Sequence, residues 1–328
     1  MPIREKILEV ASALPMAPRI FARLDKLMRN EASALNEIAV LIRGDAALTA
    51  QLIRQSNSAA YGGVQRVGSL EEAVARVGMK ETYRLVGYVA GTQLTEQALK
   101  HYGIESEQLR EHMLQTAFVS EQLAIQCGLD GRMAYTAGLL RPIGFFVCDR
   151  LAEQYEPVQP YSQAHDHDYR SWEGRLFGIS SAEVASLVLE EWKFPVEIVE
   201  AVRRHRRPDP ADHGQRMACL LNLACGLVAK HGFGLPGETG HWATPQNRLI
   251  SLGFGAKHFE AAEAKALDAV TGFRQRLSQE VNPVPVQLES ALPEDIVSKK
   301  EPPAIIQPEE NKLRQKFSTW ASRHRFWN

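Results

Sequence analysis

The segment from Ala134 to Leu151, AYTAGLLRPIGFFVCDRL, constrains the fold of this chain more than any other segment. It is a largely apolar, helix-like run that Pro142 interrupts near its middle. Proline has no amide proton, and its ring crowds the carbonyl group four residues earlier, here that of Gly138. The segment therefore predicts a helix that stops or kinks at Pro142, followed by a second short helix that leaves from Gly144.

The rest of the chain also has the pattern of helices. Apolar residues recur at intervals of three and four, and residues suited to helix starts precede several of these runs. Asp45 is placed as an N-cap, while Ser69 with Glu72 and Ser180 with Glu183 have the spacing of capping boxes. In the N-terminal third, no run alternates with a period of two for long enough to be a strand. The patterns predict an all-α protein.

Composition excludes several functional classes. The net charge of the 328 residues is −1, which argues against a general nucleic-acid-binding protein. The four cysteines are scattered in apolar segments with no C-x-x-C pair, which is typical of small buried side chains in a reducing compartment. We expect neither a signal peptide nor a membrane span at the beginning of this sequence, and no later run is long enough to span a membrane. We therefore expect a cytoplasmic protein.

Three segments carry a specific resemblance: LPMAPRIFARLDKLM, IAVLIRGDAALTAQLIRQSNSAAYGG and VGSLEEAVARVGMKETYRLV. Together they resemble the HDOD domain, the HD-related output domain of bacterial signalling proteins and a catalytically degenerate branch of the HD phosphohydrolase superfamily. The resemblance implies an HD-domain/phosphodiesterase-like helical bundle with an N-terminal helical subdomain. The matching residues are Leu14, Pro15, Pro18, Asp45, Leu48, Thr49, Leu52, Arg54, Asn57, Ser58, Tyr61, Gly62, Ser69, Ala73 and Gly78.

We expect four regions along the chain. Residues 1–100 form the N-terminal subdomain and residues 101–280 the HD-like bundle. Residues 281–310 combine scattered prolines with acidic residues and few aromatics, which indicates a linker. Residues 311–328 carry aromatic and basic side chains at helical spacing, which predicts a basic amphipathic helix that docks on protein.

The resemblance extends to the positions at which HD proteins bind metal, but most of the ligands are replaced. Arg141 and Pro142 stand where that superfamily has His and Asp, and Ser181 and Cys225 stand where it has His and Asp. Arginine has no lone pair to offer, and the proline side chain has no donor atom, so neither binds a metal.

Only two family-like histidines remain, His112 and His205, while Arg206 replaces the second histidine of the closing pair. Two imidazoles without a carboxylate do not make the two-metal site that activates water. We expect no metal and no cofactor. Arg141 is predicted to take the place of the ion among His112, His205 and Ser181, and Arg206 and Arg207 to point to solvent.

The resemblance and the lost ligands imply a non-catalytic signal-transduction module that acts by binding another protein. The alternative is a sensor in which Arg141 and His205 bind a phosphate-bearing nucleotide such as a cyclic dinucleotide, and a residual metal-dependent phosphohydrolase is the third reading. Arg54, Asn57 and Tyr61 form the candidate partner surface, although Asn57 and Tyr61 also suit a turn fixed by side-chain hydrogen bonds. The identity of the partner and the presence of self-association stay open.

Overall fold

The computed structural model describes residues 2–15, 17–29, 35–61, 65–155, 157–238, 242 and 246–279. Within these ranges the chain forms helices joined by turns, with no β-strand, and an isolated β-bridge joins Leu99 and Ile104. The predicted all-α fold is confirmed. The helices are α1 Ile3–Ser12, α2 Ala17–Arg29, α3 Leu35–Arg43, α4 Ala46–Ser56, α5 Leu70–Val77, α6 Met79–Leu94, α7 Ser106–Gln126, α8 Gly131–Leu140, α9 Ile143–Gln154, α10 Tyr169–Phe177, α11 Ser181–Glu191, α12 Val196–Arg204, α13 Arg216–Val228, α14 Gln246–Ser251 and α15 Ala256–Ser278.

The predicted caps begin their helices. The Asp45 carboxylate accepts a hydrogen bond from the backbone N–H of Leu48 at 3.0 Å, at the start of α4. Ser180 and Glu183 form a complete capping box at the start of α11, in which each side chain accepts from the backbone N–H of the other residue. Such caps satisfy amides that the first turn of a helix leaves without partners. They fix where α11, which carries Ser181, begins.

Two glycines of the AGLLRPIG motif allow the central helices to approach their neighbours closely. A Cβ atom on Gly138 would lie 2.6 Å from the carbonyl oxygen of Thr116, and one on Gly144 would lie 1.8 Å from that of Ser181. Both distances are far inside van der Waals contact. Glycine therefore brings α8 against α7 and α9 against the start of α11, and these contacts surround the turn at Arg141.

The chain divides into two compact units, Met1–Pro283 and Val284–Asn328, and the described residues all belong to the first. The predicted linker, 281–310, and the predicted terminal helix, 311–328, lie outside the described residues. The predicted boundary near residue 100 stays a prediction. Helix α1 packs against α9 and α11 of the bundle, and one hydrophobic cluster runs from Ile7 to Phe273. Among the described helices, none has the length and apolar character that crossing a membrane requires.

Candidate functional site

Arg141 lies in the turn between α8 and α9. Its backbone N–H still donates to the carbonyl of Ala137 at 2.9 Å, but Pro142 ends the helical hydrogen bonding and α9 begins at Ile143. The kink expected at Pro142 is therefore present. It turns the Arg141 side chain into the interior of the bundle, where the residue is only 3% exposed.

Two buried histidines face the Arg141 guanidinium. Nδ1 of His112 lies 2.7 Å from the carbonyl oxygen of Phe233, and Nδ1 of His205 lies 2.6 Å from that of Val202. A carbonyl only accepts, so each Nδ1 carries the proton and each Nε2 presents a lone pair. Both lone pairs face Arg141, whose Nη2 contacts Nε2 of His112 and whose Nη1 lies 3.4 Å from Nε2 of His205.

The same environment keeps both histidines neutral. Burial and the adjacent Arg141 lower the pKa of His112 to about 4. Burial, together with Arg141 and Arg206, lowers the pKa of His205 well below its ordinary value. A neutral imidazole with a free Nε2 is also the form that binds a metal, and here its lone pair is used by an arginine N–H instead.

Glu238 supplies the charge that balances Arg141. Its carboxylate receives two hydrogen bonds from the guanidinium, at 2.7 Å from Nη1 and 3.0 Å from Nη2, and neither side chain is more than 1% exposed. Burial alone would raise the pKa of Glu238, but Arg141 and Arg206 outweigh burial and lower it. Gly237 holds the turn Pro236–Glu238 against the ring of Tyr169, since a Cβ there would lie 2.3 Å from that ring.

Arg206 belongs to the same cluster, and the expectation that it points to solvent is wrong. The residue is buried, and its Nη2 donates to Oγ of Ser181 at 3.0 Å and to Glu238 at 3.3 Å. The expectation assumed that helical geometry continues through this position. Helix α12 ends at Arg204, with His205 as its C-cap, and the following turn redirects Arg206 inward. Arg207 is exposed, as expected.

A second carboxylate, Glu173 of α10, completes the cluster. It accepts from the hydroxyl of Tyr102 at 2.9 Å and from the backbone N–H of Ser181 at 2.7 Å, and it pairs with Arg206 at 3.4 Å. Burial raises the pKa of Glu173 despite these contacts. Ser181 thus contacts Arg206 and Glu173, and the predicted neighbours of Arg141 are only partly the ones found.

Cys225 of α13 lies in the same interior as a neutral thiol. The residue is fully buried, and burial raises the pKa of its thiol to about 12. The neighbouring residue on the same helix, Asn222, donates to the carbonyl of His205 at 2.7 Å and fixes the end of α12. The α13 position that resembles a metal-binding Asp therefore contributes no negative charge.

The donor set of this cluster does not fit the divalent metal that an HD-like bundle implies. Both imidazole lone pairs and the Glu238 carboxylate are engaged by Arg141, and a second guanidinium lies beside them. A divalent cation there would meet two fixed positive charges. Across the parts of the chain that the structure describes, no group of three or more His, Cys, Asp and Glu side chains could hold a metal ion.

Two of these residues were missed by sequence reasoning. Glu173 and Glu238 lie in short polar stretches, WEGR and PGET, that have the composition of exposed turns. The only local signal is Gly237, because a glycine beside an acid in a turn is compatible with close packing. Neither carboxylate could be paired with an arginine from spacing alone.

The candidate partner surface forms a separate group on α4 and the 3-10 turn Ala59–Tyr61. Arg54 is exposed, and its guanidinium contacts the side chain of Gln51. The amide of Asn57 is used internally, since it donates to Val67 O at 2.9 Å and accepts from Val67 N–H at 2.8 Å. The Tyr61 hydroxyl donates to Glu81 at 3.0 Å. Arg54 is thus the most accessible of the three side chains.

The fold and the cluster define an HD-like helical domain with a buried arginine between two histidines. The family model of the HDOD domain matches residues 14–208, more than half of the chain, and the protein belongs to the HDOD family. An uncharacterized protein of Treponema pallidum (strain Nichols) is 24% identical over 195 residues, which are 58% of this chain and 37% of that protein. The matched region therefore spans little more than a third of this relative's length.

Two solved structures have the same fold. A protein called "Putative phosphohydrolase" from Shewanella amazonensis SB2B is 22% identical with a TM-score of 0.58, and the match covers 83% of this chain and 98% of that one. A protein called "Putative signal transduction protein" from Marinobacter aquaeolei VT8 is 20% identical with a TM-score of 0.60, covering 84% and 66%. At these identities the likeness shows the fold alone.

Proposed function

We propose that this HDOD chain is a signal-transduction module that acts by binding another protein and does not hydrolyse phosphodiesters. One observation carries the proposal: the Arg141 guanidinium, held by Glu238, occupies the space between His112 and His205. The cluster supplies positive charge without a metal, so it holds the bundle together and activates no water. The Marinobacter relative is called a signal transduction protein, which agrees with this role, whereas the Shewanella relative is called a phosphohydrolase.

Protein binding is proposed to use the surface around Arg54 and Tyr61. Large side chains dominate binding energy at protein interfaces, and both residue types are common among them. The support is that Arg54 is exposed and that Tyr61 is only partly buried. We further propose that the module works in the cytoplasm, since its four cysteines are free and three of them are buried.

A second candidate function is a nucleotide sensor in the same cluster. The observation that favours it is that Nε of Arg141 and Nε of Arg206 are buried and have no hydrogen-bond partner among the described residues. Phosphate oxygens would satisfy such donors. Entry would require the Glu238 carboxylate to leave, so a ligand must outcompete the two hydrogen bonds that this carboxylate accepts from Arg141.

The experiment measures hydrolysis, nucleotide binding and partner capture on the same full-length preparation. We expect no turnover of bis(p-nitrophenyl) phosphate with added manganese, iron or zinc, and no calorimetric signal with cyclic dinucleotides. Partner capture from native lysate is expected to fall in an R54A/Y61A variant whose midpoint of denaturant unfolding equals that of wild type. Metal-dependent turnover would overturn the proposal, and nucleotide binding lost in R141A would favour the sensor.

A further inference from the structure

A groove remote from the Arg141 cluster lies between α1, α2 and the turn that follows α11. It encloses about 610 Å³. Its floor is apolar and consists of Leu8, Ala11, Ala22 and the indole of Trp192. A volume of several hundred Å³ accommodates a few side chains of a partner.

The rim of the groove is strongly basic. Arg19, Arg23, Lys26 and Lys193 line it, against a single acid, Glu191. Within the described residues, no carboxylate pairs with Arg23, Lys26 or Lys193. Arg23 and Lys26 also line a second groove, between α2 and α3, which contains the acid Glu37.

Arg19 holds this side of the groove in a fixed arrangement. Its Nη2 donates to the carbonyl oxygens of Ala11 at 3.1 Å and Ser12 at 3.0 Å, at the end of α1. Its guanidinium lies over the ring of Trp192, with Cζ 5.1 Å from the ring centroid. The guanidinium covers that face of the indole, so a planar base could not stack on it.

The backbone conformation of Lys193 is a separate feature of the same rim. The residue has a φ of +63°, and it is the one non-glycine residue with positive φ in the described part of the chain. The turn is a Schellman motif, with Phe194 N–H donating to Leu189 O at 3.0 Å. The same motif after α7 uses glycine, Gly128, at the corresponding position.

An exposed lysine in the left-handed region is strained relative to glycine, and solvent exposure gives it no packing in return. The lysine does place an ammonium group at the mouth of the groove. Its presence there fits a role in binding better than a role in folding.

We propose that this groove binds an acidic segment of the protein partner. Apolar side chains of the segment pack on the floor against Trp192, and its carboxylates pair with Arg23, Lys26 and Lys193. The inference rests on the proposed function, because it assumes that the module acts by binding protein. It adds a second surface to the one around Arg54 and gives the chemical character of the partner.

The test is fluorescence anisotropy of a labelled peptide in which glutamates flank a central leucine and phenylalanine, titrated with the full-length protein. A peptide with lysine in place of each glutamate is the reference. We expect the acidic peptide to bind, with an affinity that falls as salt rises, and the basic peptide not to bind. K193G should weaken binding about fivefold, the effect of one exposed charge pair at the upper end of the usual range, and leave the melting temperature unchanged or higher.

The double variant R23E/K26E should weaken binding by more than about tenfold, while R207E, which reverses an exposed charge outside the groove, should not. Equal binding by wild type and R23E/K26E, or no binding by either, would overturn the inference. Cyclic dinucleotide binding that is lost in R23E/K26E would make the groove a nucleotide site. A sedimentation coefficient that differs between wild type and R23E/K26E would make the groove a contact with a second copy. Either result would also overturn the inference. The proposed function is tested separately, by the hydrolysis assay and by partner capture with the R54A/Y61A variant.

Discussion

Replacing Glu238 with glutamine should destabilise the protein more than any other single conservative change in the cluster. The substitution keeps the size of the side chain and removes its charge. It leaves the Arg141 guanidinium, which is 1% exposed, without its bidentate carboxylate and also removes an acceptor of Arg206. Neither guanidinium can respond by losing a proton, because an arginine side chain stays charged in proteins.

The expected loss in the free energy of unfolding is about 3–5 kcal/mol, the usual cost of removing one partner from a buried ion pair. For a unit of roughly 280 residues, the entropy of unfolding near the melting temperature is about 0.6 kcal/mol/K. A loss of about 4 kcal/mol therefore corresponds to a melting temperature about 7 °C lower.

Urea unfolding and calorimetry measure the effect. The matched control is E260Q, which neutralises an exposed glutamate of α15 and should stay within about 0.5 kcal/mol of wild type. Adding R141M to E238Q should recover part of the loss, because it removes the unpaired cation. A loss below about 1 kcal/mol for E238Q, or no recovery in the double variant, would refute the view that the cluster is held by this pair.

Three further predictions follow from the same geometry. The pKa of His112 in the fold is about 4, below the ordinary 6.5, so the unfolded chain takes up the proton first as pH falls. The contribution of His112 to the free energy of unfolding is therefore complete above pH 6.5 and falls by about 3 kcal/mol towards pH 4. Urea midpoints should fall less steeply with pH in H112Q than in wild type. G144A should cost at least about 3 kcal/mol, since its methyl group would meet backbone, whereas G174A, with no atom within 4 Å of the added carbon, should be neutral or stabilising by up to about 1 kcal/mol in thermal melts. R141H should give no phosphodiesterase activity, because Pro142 still offers no carboxylate; turnover above background in R141H would contradict this.

The fold could be predicted largely from local patterns. Helix periods, the cap at Asp45 and the break at Pro142 are all properties of a few consecutive residues, and the structure confirms them. The motifs from Leu14 to Gly78 also identified the family, which the family match over residues 14–208 confirms.

The composition of the site could be predicted only in part. His112, Arg141, His205 and Cys225 were expected to share one interior, and the structure places them there. Glu238 could not be found, because it is 97 residues from Arg141 and pairs with it through tertiary packing that no local period encodes. Arg206 was misplaced for a related reason: its direction depends on the residue at which α12 ends, and helix ends are the least predictable part of a helix.

The metal content of the purified protein shows whether Arg141 and Glu238 take the place of the metal. Full-length protein is incubated with manganese, iron or zinc, desalted and measured by elemental analysis. We expect well below one equivalent of any of these metals, in wild type and in E238Q alike, because the guanidiniums repel a cation in both. One or two equivalents retained by the wild-type protein and lost in a variant lacking His112 and His205 would contradict it.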